Sequence, residues 1–61
     1  MYDMNKQTTY RIEELATSGW ELVGERPEDY SGLTREQTKE KLLWLIEHEG
    51  LNPGRLRAIP E

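Results

Sequence analysis

The chain has no cysteine, so neither a disulfide nor a thiolate-bound metal can staple it, and a cytosol-like compartment is compatible with it. It has one histidine, His48, set between Glu47 and Glu49 with no serine or cysteine nucleophile motif beside it, which reads as a solvated helix-end residue and not as a base or ligand. Long apolar runs are also missing. The longest, Leu42 to Ile46, falls far short of the ~20 residues that span a bilayer, and the first residues lack the basic-then-apolar order of a signal segment. Positive charge is scarce as well. Eight Lys and Arg stand against twelve Asp and Glu, and the net charge of −4 disfavours nucleic acid and offers no polybasic patch for a membrane. No glycine-rich phosphate loop occurs. The carboxylates Glu13, Glu14, Glu25, Glu28 and Asp29 lack the spaced Asp/Asn and glycine of a calcium loop, so they read as solvated charge. These absences leave the expectation of a soluble, cytoplasmic protein that is not an enzyme, with no metal and no cofactor.

What is present is one helix with both ends written into it. Within Leu33–Gly50, Thr34 and Gln37 make a capping box, in which the hydroxyl accepts from the Gln37 amide while the Gln37 side chain reaches back to Thr34. Gly50 closes the helix in the left-handed conformation, Leu51 folds back on the last turn, and Asn52-Pro53-Gly54 forbids continuation. At about 100° per residue, Thr38, Leu42, Leu45 and Ile46 form the core stripe. Leu43 falls on its flank and Trp44 well away from it, beside Glu40, Lys41 and Glu47. The helix charges run against the macrodipole: Arg35, Lys39 and Lys41 sit in the N-terminal half, and Glu47 and Glu49 at the C-terminal end.

The rest of the chain reads as strands and loops. Thr8 to Ile12 alternates, putting Tyr10 and Ile12 on one face and Arg11 and Glu13 on the other. The break at Glu13-Glu14 suggests a bulge or the strand's end. A short helix over Tyr10–Ala16, capped by Thr9 and ended by Gly19, competes with this reading, but the flanking Thr8, Thr9 and Trp20 favour β structure. Thr17-Ser18-Gly19 is turn chemistry and Trp20–Val23 alternates again, so residues 8–24 read as a hairpin. Residues 24–32 read as a polar linker around Tyr30. Arg55–Ile59 reads as a last strand, with Arg55, Arg57 and Ile59 on one face, Leu56 and Ala58 on the other, and Pro60 requiring an edge or an end. The predicted fold is α+β, a single small β-β-α-β domain over residues 8–61 with a flexible segment at 1–7. One helix covers one face of a three-stranded sheet, and the other face meets water or a second subunit.

Three stretches carry a resemblance: Ser18-Gly19-Trp20-Glu21-Leu22-Val23, the helix start from Leu33 to Leu42, and Gly50-Leu51-Asn52-Pro53-Gly54-Arg55-Leu56-Arg57. Together they resemble short uncharacterised proteins of marine cyanobacteria and their phages. The resemblance implies a small accessory protein of hairpin, helix and strand, with no chemistry to carry over. The chain also loosely resembles half of a sporulation-related-repeat peptidoglycan-binding domain, whose second helix has no counterpart here.

Sixty-one residues bury a core with a net stability of only ~3–5 kcal/mol, so association is the natural source of further burial. The candidate docking surface is Trp44 and Leu43 with Tyr30 nearby, oriented by Lys41 and Glu47, against a protein partner or in a homodimer. The alternative is a small anionic ligand or nucleic-acid contact through Arg11, Arg55 and Arg57 on the open sheet face, although pairing with Glu13 or Glu21 would also explain those arginines.

Overall fold

A computed structural model describes residues 8–61. Three antiparallel strands, β1 (Tyr10–Ala16), β2 (Gly19–Leu22) and β3 (Leu56–Pro60), form one sheet in the order β2-β1-β3, with a single helix α1 (Arg35–His48) between β2 and β3 in the chain. This is the expected α+β arrangement. The flexible segment expected at residues 1–7 lies outside the described residues.

Tyr10–Ala16 is strand and not helix, and it runs through Glu13-Glu14 without a bulge, pairing Glu13 with Leu22 and Leu15 with Trp20 on one side and Ile12 with Ala58 and Glu13 with Arg57 on the other. The expected break is absent for a physical reason: polarity changes along each face while the geometry stays regular. On the helix side Tyr10 and Ile12 are followed by Glu14, and on the open side Arg11 and Glu13 are followed by Leu15. Ile12 has no exposed surface and forms the core with Val23, Leu33 and Leu45, joined by the half-buried Tyr30, Leu42, Leu51 and Leu56. Burying a side chain of that size stabilises by ~1.5–3 kcal/mol.

The helix ends follow the sequence closely. Gln37 N–H donates to Thr34 Oγ1 at 3.1 Å, and Thr34 N–H donates to Gln37 Oε1 at 2.9 Å. The buried Thr38 hydroxyl donates to the Thr34 carbonyl at 2.7 Å, so its polarity costs the core little. Gly50 takes φ of +69°, and Leu51 N–H closes on the Leu45 carbonyl at 3.2 Å. Leu33 is not helical. It is buried beside the cap and bridges Tyr10.

That bridge corrects the reading of residues 24–32 as a mere linker. Because β2 stops at Leu22, the first half of β1 would face solvent with unpaired amides on that side. The returning loop fills the gap. Tyr10 N–H donates to Leu33 O at 2.8 Å, Leu33 N–H donates to Tyr10 O at 3.0 Å, and Ile12 N–H donates to Tyr30 O at 3.0 Å. At the other edge Pro60 has no amide proton and Leu56 N–H turns back to Pro53 O, which blunts β3 against further pairing. Arg55, expected in this strand, ends the 3-10 turn Pro53–Arg55 that precedes it.

On the open face Glu13 is the one buried charged residue among those described. Arg11 Nε lies 2.8 Å from its Oε2, and Arg57 reaches its Oε1 through Nη2 at 2.7 Å and Nε at 2.8 Å. The guanidinium of Arg57 also lies over the Trp20 ring, 4.2 Å from its centroid. The hydrogen bond from Arg11, then that from Arg57, hold the Glu13 carboxyl below its usual range, outweighing the opposing push of burial. A carboxyl whose folded value is lowered stabilises the fold fully above its unfolded value, and that contribution is lost as pH falls through the lowered folded value. Urea midpoints measured downward from about pH 4.3, the ordinary glutamate value, should therefore fall more steeply for the wild type than for Glu13→Gln. Parallel slopes for the two proteins would show that this clamp contributes nothing.

Candidate functional site

The exposed side of α1 is where the helix carries more apolar surface than the core takes up. Trp44 is 45% exposed and Leu43 57%. They do not form one patch. At about 100° per residue they lie on opposite flanks of the helix, with Glu40 and Glu47 on the crest between them. Leu43, read as a flank of the core stripe, is the most exposed large apolar residue described. The stripe facing the sheet is narrow, and Ile46 and Leu42 already fill the side on which Leu43 stands.

Trp44 stands differently, because the 24–32 loop comes up beside it. The 3-10 turn Pro27–Asp29 delivers Tyr30 to the helix, and two contacts hold its ring in place. Lys41 Nζ lies 5.2 Å from the ring centroid. Gly24 meets the Cδ2–Cε2 edge of the ring so closely that an added Cβ would come within 2.8 Å of Tyr30 Cε2. His48 stacks on Trp44 one turn further on, with ring centroids 5.6 Å apart and planes inclined by 25°. The structure thus brings together Trp44, Tyr30 and Lys41, leaves Glu47 on the crest, and separates Leu43 from them.

Two grooves flank the Tyr30–Trp44 pair. The one toward the start of α1, about 440 Å³, is lined also by Leu33, Gln37, Glu40 and Lys41. The one toward its end, about 400 Å³, has Val23, Leu45 and Leu51 among its lining residues, and Glu14, Glu25, Asp29 and Glu49 with them. Sequence reading missed the acidic members of this second groove as a group, since they come from a strand, a loop and a helix end. Glu14 alone carried a signal, as a charged residue in phase with Tyr10 and Ile12 on the strand face that the helix covers. The arrangement suits contact with another molecule's side chains, and among the described residues no three histidines or carboxylates converge to hold a metal ion.

The arginines of the open face are each engaged. Arg11 and Arg57 hold Glu13, Arg11 also lies 3.9 Å from Glu61, and Arg55 donates to the Leu15 carbonyl at 2.9 Å. No helix among the described residues is long and apolar enough to cross a membrane. Comparison with protein-family models, curated proteins and solved structures finds no match to this chain.

The seat of Tyr30 on Gly24 can be measured. Gly24→Ala adds a collision with the ring to the strain of φ at +84°, whereas Gly32→Ala, with φ of +63° and no atom within 4 Å of the added carbon, carries strain alone. Both should destabilise, Gly32→Ala by ~1 kcal/mol and Gly24→Ala by ~2–3 kcal/mol in urea unfolding. Only Gly24→Ala should shift the Tyr30 ring resonances. Equal costs and unmoved Tyr30 signals would mean that the glycine does not position the ring.

Proposed function

We propose that this chain is a non-catalytic interaction module of the cytoplasm, in keeping with the small accessory proteins it resembles, and that it docks a protein partner or its own copy through the α1 surface around Trp44. The observation that carries this reading is an indole left 45% exposed at a groove that the Tyr30 ring also lines. Rigid, half-exposed aromatics bury much surface at little entropic cost, which is why they dominate the energetics of interfaces. A non-catalytic role fits His48, which is stacked on Trp44 rather than set against a nucleophile. Lys41 upstream and the carboxylates downstream polarise the surface, and such a pattern sets the orientation of an incoming partner. The arginine face supports a ligand contact less well, because binding there would compete with bonds already made to Glu13 and to the Leu15 carbonyl.

Trp44→Ala is the test. Since the indole lies outside the core cluster, the variant should keep the wild-type circular dichroism and unfold within ~1 kcal/mol of it. Association, followed by sedimentation equilibrium for self-contact and by capture on immobilised protein for another chain, should weaken on the order of 30-fold or more, as expected of a central interface aromatic. Leu43→Ala should change little. A Trp44→Ala chain that unfolds, or one that associates as the wild type does, overturns the reading.

A further inference from the structure

Resting on that docking reading, we infer that the groove between Trp44 and the 24–30 loop seats a basic side chain, an arginine or lysine, carried by a segment of a protein partner. Its shape and its charge point to the same occupant. Leu51, half-buried over the core residues Val23 and Leu45, supplies apolar surface for the methylene stem of a long basic residue. Trp44 and Tyr30 add aromatic rings, whose faces attract cations. Four carboxylates, Glu14, Glu25, Asp29 and Glu49, line the same space against one guanidinium, that of Arg26, which already bridges Glu28 at 3.2 Å and Asp29 at 3.7 Å. Among the described residues Glu14, Glu25 and Glu49 take no ion pair.

The helix end favours the same occupant. Glu49 caps the C-terminus of α1, where the macrodipole is negative and a cation is the stabilising neighbour. Placing Glu49 there runs against the dipole, it takes no ion pair among the described residues, and a basic group entering the groove it lines would compensate it. The chain's own copy is a poorer occupant. Glu36, Glu40 and Glu47 fall within about 40° of one another on the crest of α1, so two helices laid together would oppose like charges.

The experiment uses the full chain, isotopically labelled, titrated by NMR with three blocked hexapeptides: one with two arginines in a glycine-serine background, one with citrulline in their place, and one with leucine. The arginine peptide should shift the Trp44 indole N–H and the amides of Glu25, Asp29 and Glu49 while leaving Trp20 still. Citrulline, which keeps the shape and loses the charge, should bind roughly three- to tenfold more weakly, and so should the arginine peptide against Glu14→Gln/Glu49→Gln. Equal affinity for citrulline, a preference for leucine, or shifts confined to Trp20 overturns the basic occupant. A Trp44-dependent homodimer in sedimentation also overturns it, yet keeps the docking reading, as does a leucine peptide seated at Trp44. If no peptide moves Trp44 and Trp44→Ala changes no association, both readings fall.

Discussion

One amphipathic helix can cover one face of a sheet, and every other feature of this fold answers to that limit. The central strand must serve two environments at once. Ile12 enters a core shared with Val23, Leu33 and Leu45, while Glu13, its neighbour, projects to the face that no helix covers. That face is closed by side chains instead. Arg11 and Arg57 converge on the Glu13 carboxylate from β1 and β3, and the Arg57 guanidinium lies over Trp20 from β2, so one group links all three strands. Long basic side chains cover apolar surface with their stems while keeping charge near water, which makes them suited to such a lid.

The same limit produces the grooves. The hairpin is short on the β2 side, and the chain must return past the vacant flank of β1 before it can start the helix. In doing so it satisfies the Tyr10 and Ile12 amides and sets Tyr30 beside Trp44. The helix then ends where Glu14 still points to its side of the sheet, and the space between is lined by whatever charges the strand, loop and cap bring to it. A polar rim around an aromatic pair thus follows from two ordinary facts of packing, a short β2 and a finite α1.

The parts read most faithfully from sequence were those decided within a few residues. Thr34 and Gln37 meet across one turn, Gly50 sits at the one φ a helix end needs, and the alternation of Tyr10, Arg11 and Ile12 is visible wherever the strand lies. Errors came where a local pattern had more than one tertiary meaning. Glu13-Glu14 looked like a break because alternation was judged against one uniform face, whereas each face of β1 changes character along its length. Residues 24–32 looked like a linker because their hydrogen bonds go to a strand some twenty residues earlier in the chain.

Chain chemistry therefore settled the boundaries of α1, the hairpin and the apolar stripe, since these depend on dihedral preference and on periodicities of 3.6 and 2. It also marked Trp44 as a residue the stripe did not need. Only the tertiary structure decided that Leu43 and Trp44 part company, that Arg11 and Arg57 serve Glu13, and that Glu14, Glu25, Asp29 and Glu49 share one groove. Those outcomes turn on which distant segments come within a few ångströms, and a carboxylate has the same local preferences whether or not such a neighbour arrives.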